Sequence, residues 1–143
     1  LIGFKTQIVE YDANIKIKVN KAPVVYFPHK YMESILTNLI SNSFKYKSPL
    51  RKPEILIETR KLQDGIVQMT FSDNGLGIDL VRHKDNIFKI RKTFHKHPDA
   101  KGFGLFMTKT QVEAMNGKIW AESQPDKGCT FFIEFKSTEY EPS

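Results

Sequence analysis

A chain of 143 residues, 40% hydrophobic and 27% charged, has the size and composition of one soluble domain that buries its core without staples. No apolar run approaches the roughly 20 residues that span a bilayer, and a single cysteine, Cys129, excludes an internal disulfide and fits a reducing compartment. The net charge of +6 is spread over nearly every segment, with one dense cluster at KIRKTFHKH (89–97), which favours a solvated surface with a local polyphosphate-type anion site over nucleic-acid binding.

The chain opens LIGFKTQ, with neither an initiator Met nor a secretory pattern, and is read as a piece of a longer cytoplasmic protein, with inner-membrane anchorage of the parent left open. Residues 1–10 read as the end of a linker helix. NIKIKV alternates as a strand with Ile15, Ile17 and Val19 in phase, and PVVYF is a short extended piece stopped by Pro28. From His29 to about Lys47 the period becomes helical, with Met32, Ile35, Leu36, Leu39 and Ser43 on one stripe. PEILIETRK and GIVQMTFSD form a hairpin across LQDG. Residues 80–101 carry many charges and weak periodicity, so a mobile loop is expected there. GLFMTKTQVEAMNG is a helix with Leu105, Thr108, Val112 and Met115 on one side and Asn116-Gly117 as its stop. KIWAES and CTFFIEFK close a second hairpin, and residues 137–143 are a polar tail. Strands arriving in antiparallel pairs between helices predict a two-layer α+β sandwich.

Three local patterns carry chemistry. In IVQMTFSD, Val67, Met69 and Phe71 share a face, and parity places Asp73 on it. A carboxylate in phase with a core face is protonated, paired or awaiting a ligand that donates hydrogen bonds. The alternative is that the strand ends one residue early and DNG is an ordinary solvated turn. On the long helix, Asn38, Asn42 and Lys45 share a stripe beside the apolar one, with Tyr46 adjacent. Such polar stripes are often only the wet side of a helix, but an amide carbonyl is also a hard oxygen ligand suited to Mg²⁺. In AKGFGLF, Gly102 and Gly104 precede a helix and would leave backbone N–H groups open to phosphate. The same pattern also fits a flexible loop that simply joins a helix. It is neither a dinucleotide fingerprint, since Met107 stands at the third glycine position, nor a P-loop.

In order, these pieces resemble the ATP-binding catalytic domain of sensor histidine kinases, in the superfamily shared with gyrase B, Hsp90 and MutL. NLISNSFKY is similar to its N box, DNGLGID to its first glycine box, NIFKIRKTFH to its F box, KGFGLF to its second glycine box and KGCTFF to its last, so that the resemblance covers about residues 24–136. It implies the Bergerat fold, a mixed and largely antiparallel sheet with helices on one face. It also implies that Asp73 receives the adenine amine, with Gly75 and Gly77 letting the backbone pass the base. By the same resemblance Asn42 binds Mg²⁺, Lys45 contacts phosphate, Tyr46 walls the base pocket and Thr130 supplies a hydroxyl that fixes adenine. Phe88 matches the F-box aromatic and residues 80–101 the lid over ATP, with Arg91 and Lys92 as phosphate contacts. Gly102 and Gly104 would bring amides to the phosphates and Leu105 would pack near the base. Asn38, Ile78, Lys101 and Phe103 complete the implied nucleotide-binding set.

The resemblance further implies phosphoryl transfer. Hydrolytic members of the superfamily place Glu one helical turn before the metal asparagine, as do the related serine-phosphorylating anti-sigma-factor kinases. Asn38 stands there in this chain and cannot accept a proton. His29, His83, His95 and His97 lie in no phosphoacceptor motif, and HKHPD lacks further metal ligands. The expected activity is therefore that of a protein-histidine kinase fragment without its acceptor. Its partners would be the phosphoacceptor and dimerisation domain of a homodimeric parent and a response-regulator receiver domain, with no nucleic acid. Ala100 and Asp126 replace glycines usual in the second and last boxes. The alternatives are a degenerate nucleotide-binding or scaffold module and a DNA-binding domain.

Overall fold

The computed structural model describes residues 4–20, 29–77 and 104–136. Its elements are α1 (Lys5–Tyr11), β1 (Asn14–Asn20), α2 (His29–Lys45), β2 (Glu54–Lys61), β3 (Ile66–Asp73), α3 (Gly104–Ala114), β4 (Lys118–Gln124) and β5 (Gly128–Lys136). The strands form one five-stranded sheet in the order β1-β2-β3-β5-β4. The expected hairpins are present: β2 and β3 pair antiparallel, as do β4 and β5, and β3 and β5 join them at the centre. The sheet is mixed, as expected, because β1 runs parallel to β2, with Ile15 opposite Ile55 and Ile17 opposite Ile57. A parallel neighbour needs a long crossover, and α2 lies in the chain between β1 and β2.

Alternation assigns the two faces of the sheet. Ile55, Ile57, Met69, Phe71, Cys129, Phe131, Ile133 and Phe135 turn to the helices and form one cluster with Ile35, Leu39, Ile40 and Phe44 of α2 and Leu105 and Val112 of α3. The expected stripe on α2 was too narrow: Ile40 and Phe44 are buried as well, since a helix packed against both a sheet and a second helix needs a wide apolar arc. Phe4 and Tyr11 of the first helical segment meet the Phe44 ring edge-on, at centroid distances of 5.8 and 5.5 Å. Ile17, expected in phase with the core, is 57% exposed because β1 is the edge strand.

The opposite face of the sheet carries a hydrogen-bonded row. Arg60 donates to Gln68 Oε1 through Nε and Nη2 at 3.0 and 2.7 Å, and Gln68 Nε2 donates to Glu134 at 3.1 Å, so that the buried Gln68 amide is satisfied. Beside it Trp120 and Phe132 stack with centroids 5.3 Å apart. At the end of α3 Asn116 takes a left-handed φ of 58° and Gly117 N–H returns to Val112 O at 2.9 Å, the stop expected from Asn-Gly. No helix among the described residues is long and apolar enough to cross a membrane. PVVYF, the 80–101 loop and the 137–143 tail lie outside the described residues.

Candidate nucleotide site

Asp73 is the last residue of β3, and the strand does not stop short of it: it pairs with Ile55 on one side and Cys129 on the other. Its side chain therefore points into the helix-facing side, as parity required. There Ser43 Oγ on α2 donates to Oδ2 at 3.0 Å, Gly75 N–H donates to Oδ1 at 2.9 Å, and the Cys129 backbone adds a further hydrogen bond. Burial pushes the Asp73 carboxyl above the ordinary carboxylate range, and these three donors hold it back. The result is a largely desolvated carboxylate at a sheet end, oriented by neutral donors and without a cation to neutralise it among the described residues. Such a group is suited to accept a hydrogen bond from a neutral amine.

The backbone beyond Asp73 is folded tightly against the end of α2. Leu76 N–H donates to Tyr46 O at 2.8 Å, and Asp126 N–H donates to Leu76 O at 2.6 Å. A Cβ on Gly75 would sit 2.6 Å from Tyr46 O and 3.0 Å from Asp73 Oδ1, so this position has no room for a side chain. Asn38, Asn42 and Lys45 run along the last turns of α2, the helix that supplies Ser43, and Tyr46 directly follows it; all four are half-buried. The Tyr46 hydroxyl is pushed up by burial. No group of three or more His, Cys, Asp or Glu among the described residues gathers as a metal cage. A divalent ion here would need ligand phosphates and water beside one amide oxygen, which is the coordination Mg²⁺ accepts.

The profile of the family described as histidine kinase-, DNA gyrase B- and HSP90-like ATPase matches residues 29–139. The chain belongs to this family. Within it, this is an ATP-binding domain of the histidine-kinase type. Cyanobacterial phytochrome B of Nostoc sp. is 36% identical over 132 residues, 89% of this chain and 17% of its own length. Sensor protein RprX of Bacteroides fragilis is 28% identical over 139 residues, 91% of this chain and 26% of its own length. The chain thus spans about a sixth to a quarter of these curated relatives. Among solved structures, the nucleotide-free catalytic domain of histidine kinase ThkA superposes with a TM-score of 0.78 at 20% identity, covering 95% of this chain and 88% of that one. Full-length ShkA in complex with AMPPNP gives a TM-score of 0.81 at 20% identity, covering 99% of this chain and 29% of that one. The five-stranded mixed sheet with helices on one face is the α+β architecture expected of this ATPase family.

Of the site residues expected from sequence, Tyr46, Asp73 and Gly75 meet where the end of α2 packs on the end of β3, Gly77 follows in the same loop, and Asn38, Asn42 and Lys45 lie on the last two turns of α2. Gly104 opens α3, and Leu105 is buried in the core cluster. Ile78, Phe88, Arg91, Lys92, Lys101, Gly102 and Phe103 lie outside the described residues. Thr130 requires a correction. It pairs with Ser72, and the two hydroxyls meet at 3.1 Å on the sheet face away from Asp73. The neighbour of Asp73 on β5 is Cys129, and counting by twos back from Phe131 along GCTFFIEF would have shown it. Ser43 was likewise expected only as part of the apolar stripe. A small hydroxyl within a core stripe, next to Asn42, was the signal that it serves a buried acceptor.

Cys129 sits in an environment that suppresses its chemistry. Burial first, and the neighbouring Asp73 carboxylate second, push its thiol up to about 12. We expect iodoacetamide to leave Cys129 unmodified over hours at neutral pH in the folded domain and to label it within minutes in urea. Rapid labelling of the native protein would contradict the burial of this strand pair.

Proposed function

We propose that the domain binds ATP with its adenine amine on Asp73 and presents the γ-phosphate to a histidine on a separate dimerisation domain, as part of a two-component signalling protein. The observation that carries this reading is the buried Asp73 carboxylate, aimed by Ser43 and the Gly75 N–H without a neutralising cation among the described residues, with Ser43 on the same helix as Asn42 and Lys45. Tyr46 walls the base and Lys45 reaches the phosphates. The start of α3 at Gly104 offers backbone N–H groups at a positive helix end to the same phosphates. Asn42 would hold Mg²⁺, whose chemistry is to neutralise charge on the transferring phosphoryl group. In the transfer, an N–P bond forms to the acceptor imidazole as the bond from γ-phosphorus to the β,γ-bridging oxygen breaks. ADP departs, and the imidazole proton passes to solvent.

Asn38 separates transfer from hydrolysis in this reading, since an amide cannot take the proton of an attacking water. The test is incubation of the domain with radiolabelled ATP and Mg²⁺, alone and with the histidine-bearing dimerisation segment of the parent chain. The expected result is acid-labile label on the added segment, none on the domain, and inorganic phosphate at the uncatalysed background. Steady phosphate release by the domain alone would place it with the hydrolases.

A further inference from the structure

Arg51 lies in the connection between α2 and β2, outside every pattern that drew attention to the sequence. Its guanidinium donates to three backbone carbonyls: Nε to Asn74 O at 2.5 Å, and Nη2 to Gly75 O at 2.8 Å and to Asp126 O at 2.5 Å. Asn74 ties the same loop to the start of β2, accepting from Glu54 N–H at 2.9 Å and donating to Lys52 O at 2.9 Å. Each carbonyl held by Arg51 belongs to a peptide unit whose N–H also has a partner. The unit with Asn74 C=O carries the Gly75 N–H, which donates to Asp73 Oδ1. The unit with Gly75 C=O carries the Leu76 N–H, which donates to Tyr46 O. In a trans peptide the C=O and N–H point in opposite directions, so a donor that fixes the carbonyl also fixes where the N–H points.

We infer that Arg51 is a positioning residue for the nucleotide site: by gripping the carbonyls of Asn74 and Gly75 it turns one peptide N–H onto the Asp73 carboxylate and the next onto the Tyr46 carbonyl. This inference rests on the adenine reading of Asp73 and adds the residue that holds the acceptor in its orientation. The grip on Asp126 O extends the clamp to the β4–β5 turn, so that three segments distant in sequence share one cation. A planar fork of adjacent N–H groups can serve several carbonyls at once, whereas a lysine ammonium on a flexible stem does not hold that geometry. Cys129 on β5 is the titratable neighbour whose interaction with Asp73 is seen directly, and it stays a neutral thiol at ordinary pH.

The experiment is an NMR titration of the Asp73 side-chain carboxyl and the Gly75 amide in the nucleotide-free domain, for wild type, Arg51→Gln and Arg51→Lys, with Asp73→Asn identifying the resonances. The amide spectrum of each variant first establishes that it is folded. In both Arg51 variants the carboxyl is expected to titrate at higher pH than in wild type. The Gly75 amide is expected to lose its response to that titration, and affinity for an ATP analogue to fall about tenfold, the loss of one oriented hydrogen bond to a charged group. Carboxyl and Gly75 curves unchanged in Arg51→Gln would overturn the inference. So would an Arg51→Lys indistinguishable from wild type beside a shifted Arg51→Gln, because charge and not orientation would then be the cause. A wild-type domain that binds no nucleotide would sink the adenine reading alone, since the carboxyl titration decides the role of Arg51 without a ligand.

Discussion

Asp73→Asn is expected to abolish most nucleotide affinity while leaving the fold at least as stable at neutral pH. The substitution keeps the size of the side chain and an oxygen able to accept from Ser43 or Gly75, but presents an N–H₂ where a ligand amine would donate. A hydrogen bond to a charged group contributes about 1.5–3 kcal/mol, and the mismatch leaves two donors facing each other, so a loss of about a hundredfold in affinity is expected. The stability effect has the opposite sign. Burial raises the carboxyl in the folded state, so the folded protein resists ionisation more than the unfolded chain does. Its stability is therefore fullest below the ordinary carboxylate range, about pH 4, and declines as pH rises through the raised folded value. In Asp73→Asn that decline is absent. Urea unfolding between pH 4 and 7 measures the difference: the wild-type curve falls relative to the variant, and the two converge at the acid end. A variant that loses both affinity and stability at neutral pH would point to a structural Asp73.

Gly77→Ala is expected to cost both stability and binding. Gly77 takes a φ of +74°, where an L-residue is strained by about 1 kcal/mol. A Cβ there would also strike the Gln124 carbonyl at the end of β4, a backbone atom that cannot swing aside. Forcing the β4–β5 turn to move costs about 1–3 kcal/mol on the scale of overpacking. Together these predict a fall in Tm on the order of 10 °C for a domain of this size. Because that turn also bonds Leu76 through the Asp126 N–H, the movement would propagate to the loop after Asp73 and weaken nucleotide binding by at least tenfold. Thermal unfolding and analogue titration on the same preparation check both halves. An unchanged Tm would mean that the 76–77 and 124–128 segments are not packed together as described.

Local patterns carried most of the architecture because strands and helices declare themselves by period. The alternation through Phe71 placed Asp73 on the core face, and Asn116-Gly117 marked the end of α3, both from a few neighbouring residues. Relations between distant segments were legible less often. The parallel pairing of β1 with β2 depends on a crossover, not on any feature of NIKIKV itself. The exposure of Ile17 depends on its strand lying at the sheet edge. Ser43 and Cys129 meet Asp73 from 30 and 56 residues away in sequence; local pattern marks both as facing the core but does not say which residue they meet there. Thr130 was misplaced for the other reason, since a motif match was followed where the strand period pointed to its neighbour. Asp126, at a position the related motif usually fills with glycine, adopts a left-handed φ of 62°. Asp tolerates that conformation better than most residues, so the turn survives the replacement.

The most direct test of the central claim is a calorimetric titration of the domain with a non-hydrolysable ATP analogue, with and without Mg²⁺, beside Asp73→Asn. A saturable single-site isotherm, strengthened by Mg²⁺ and lost in the variant, is the predicted result. Equal affinity in the two proteins, or no binding by either, would contradict an adenine pocket centred on Asp73.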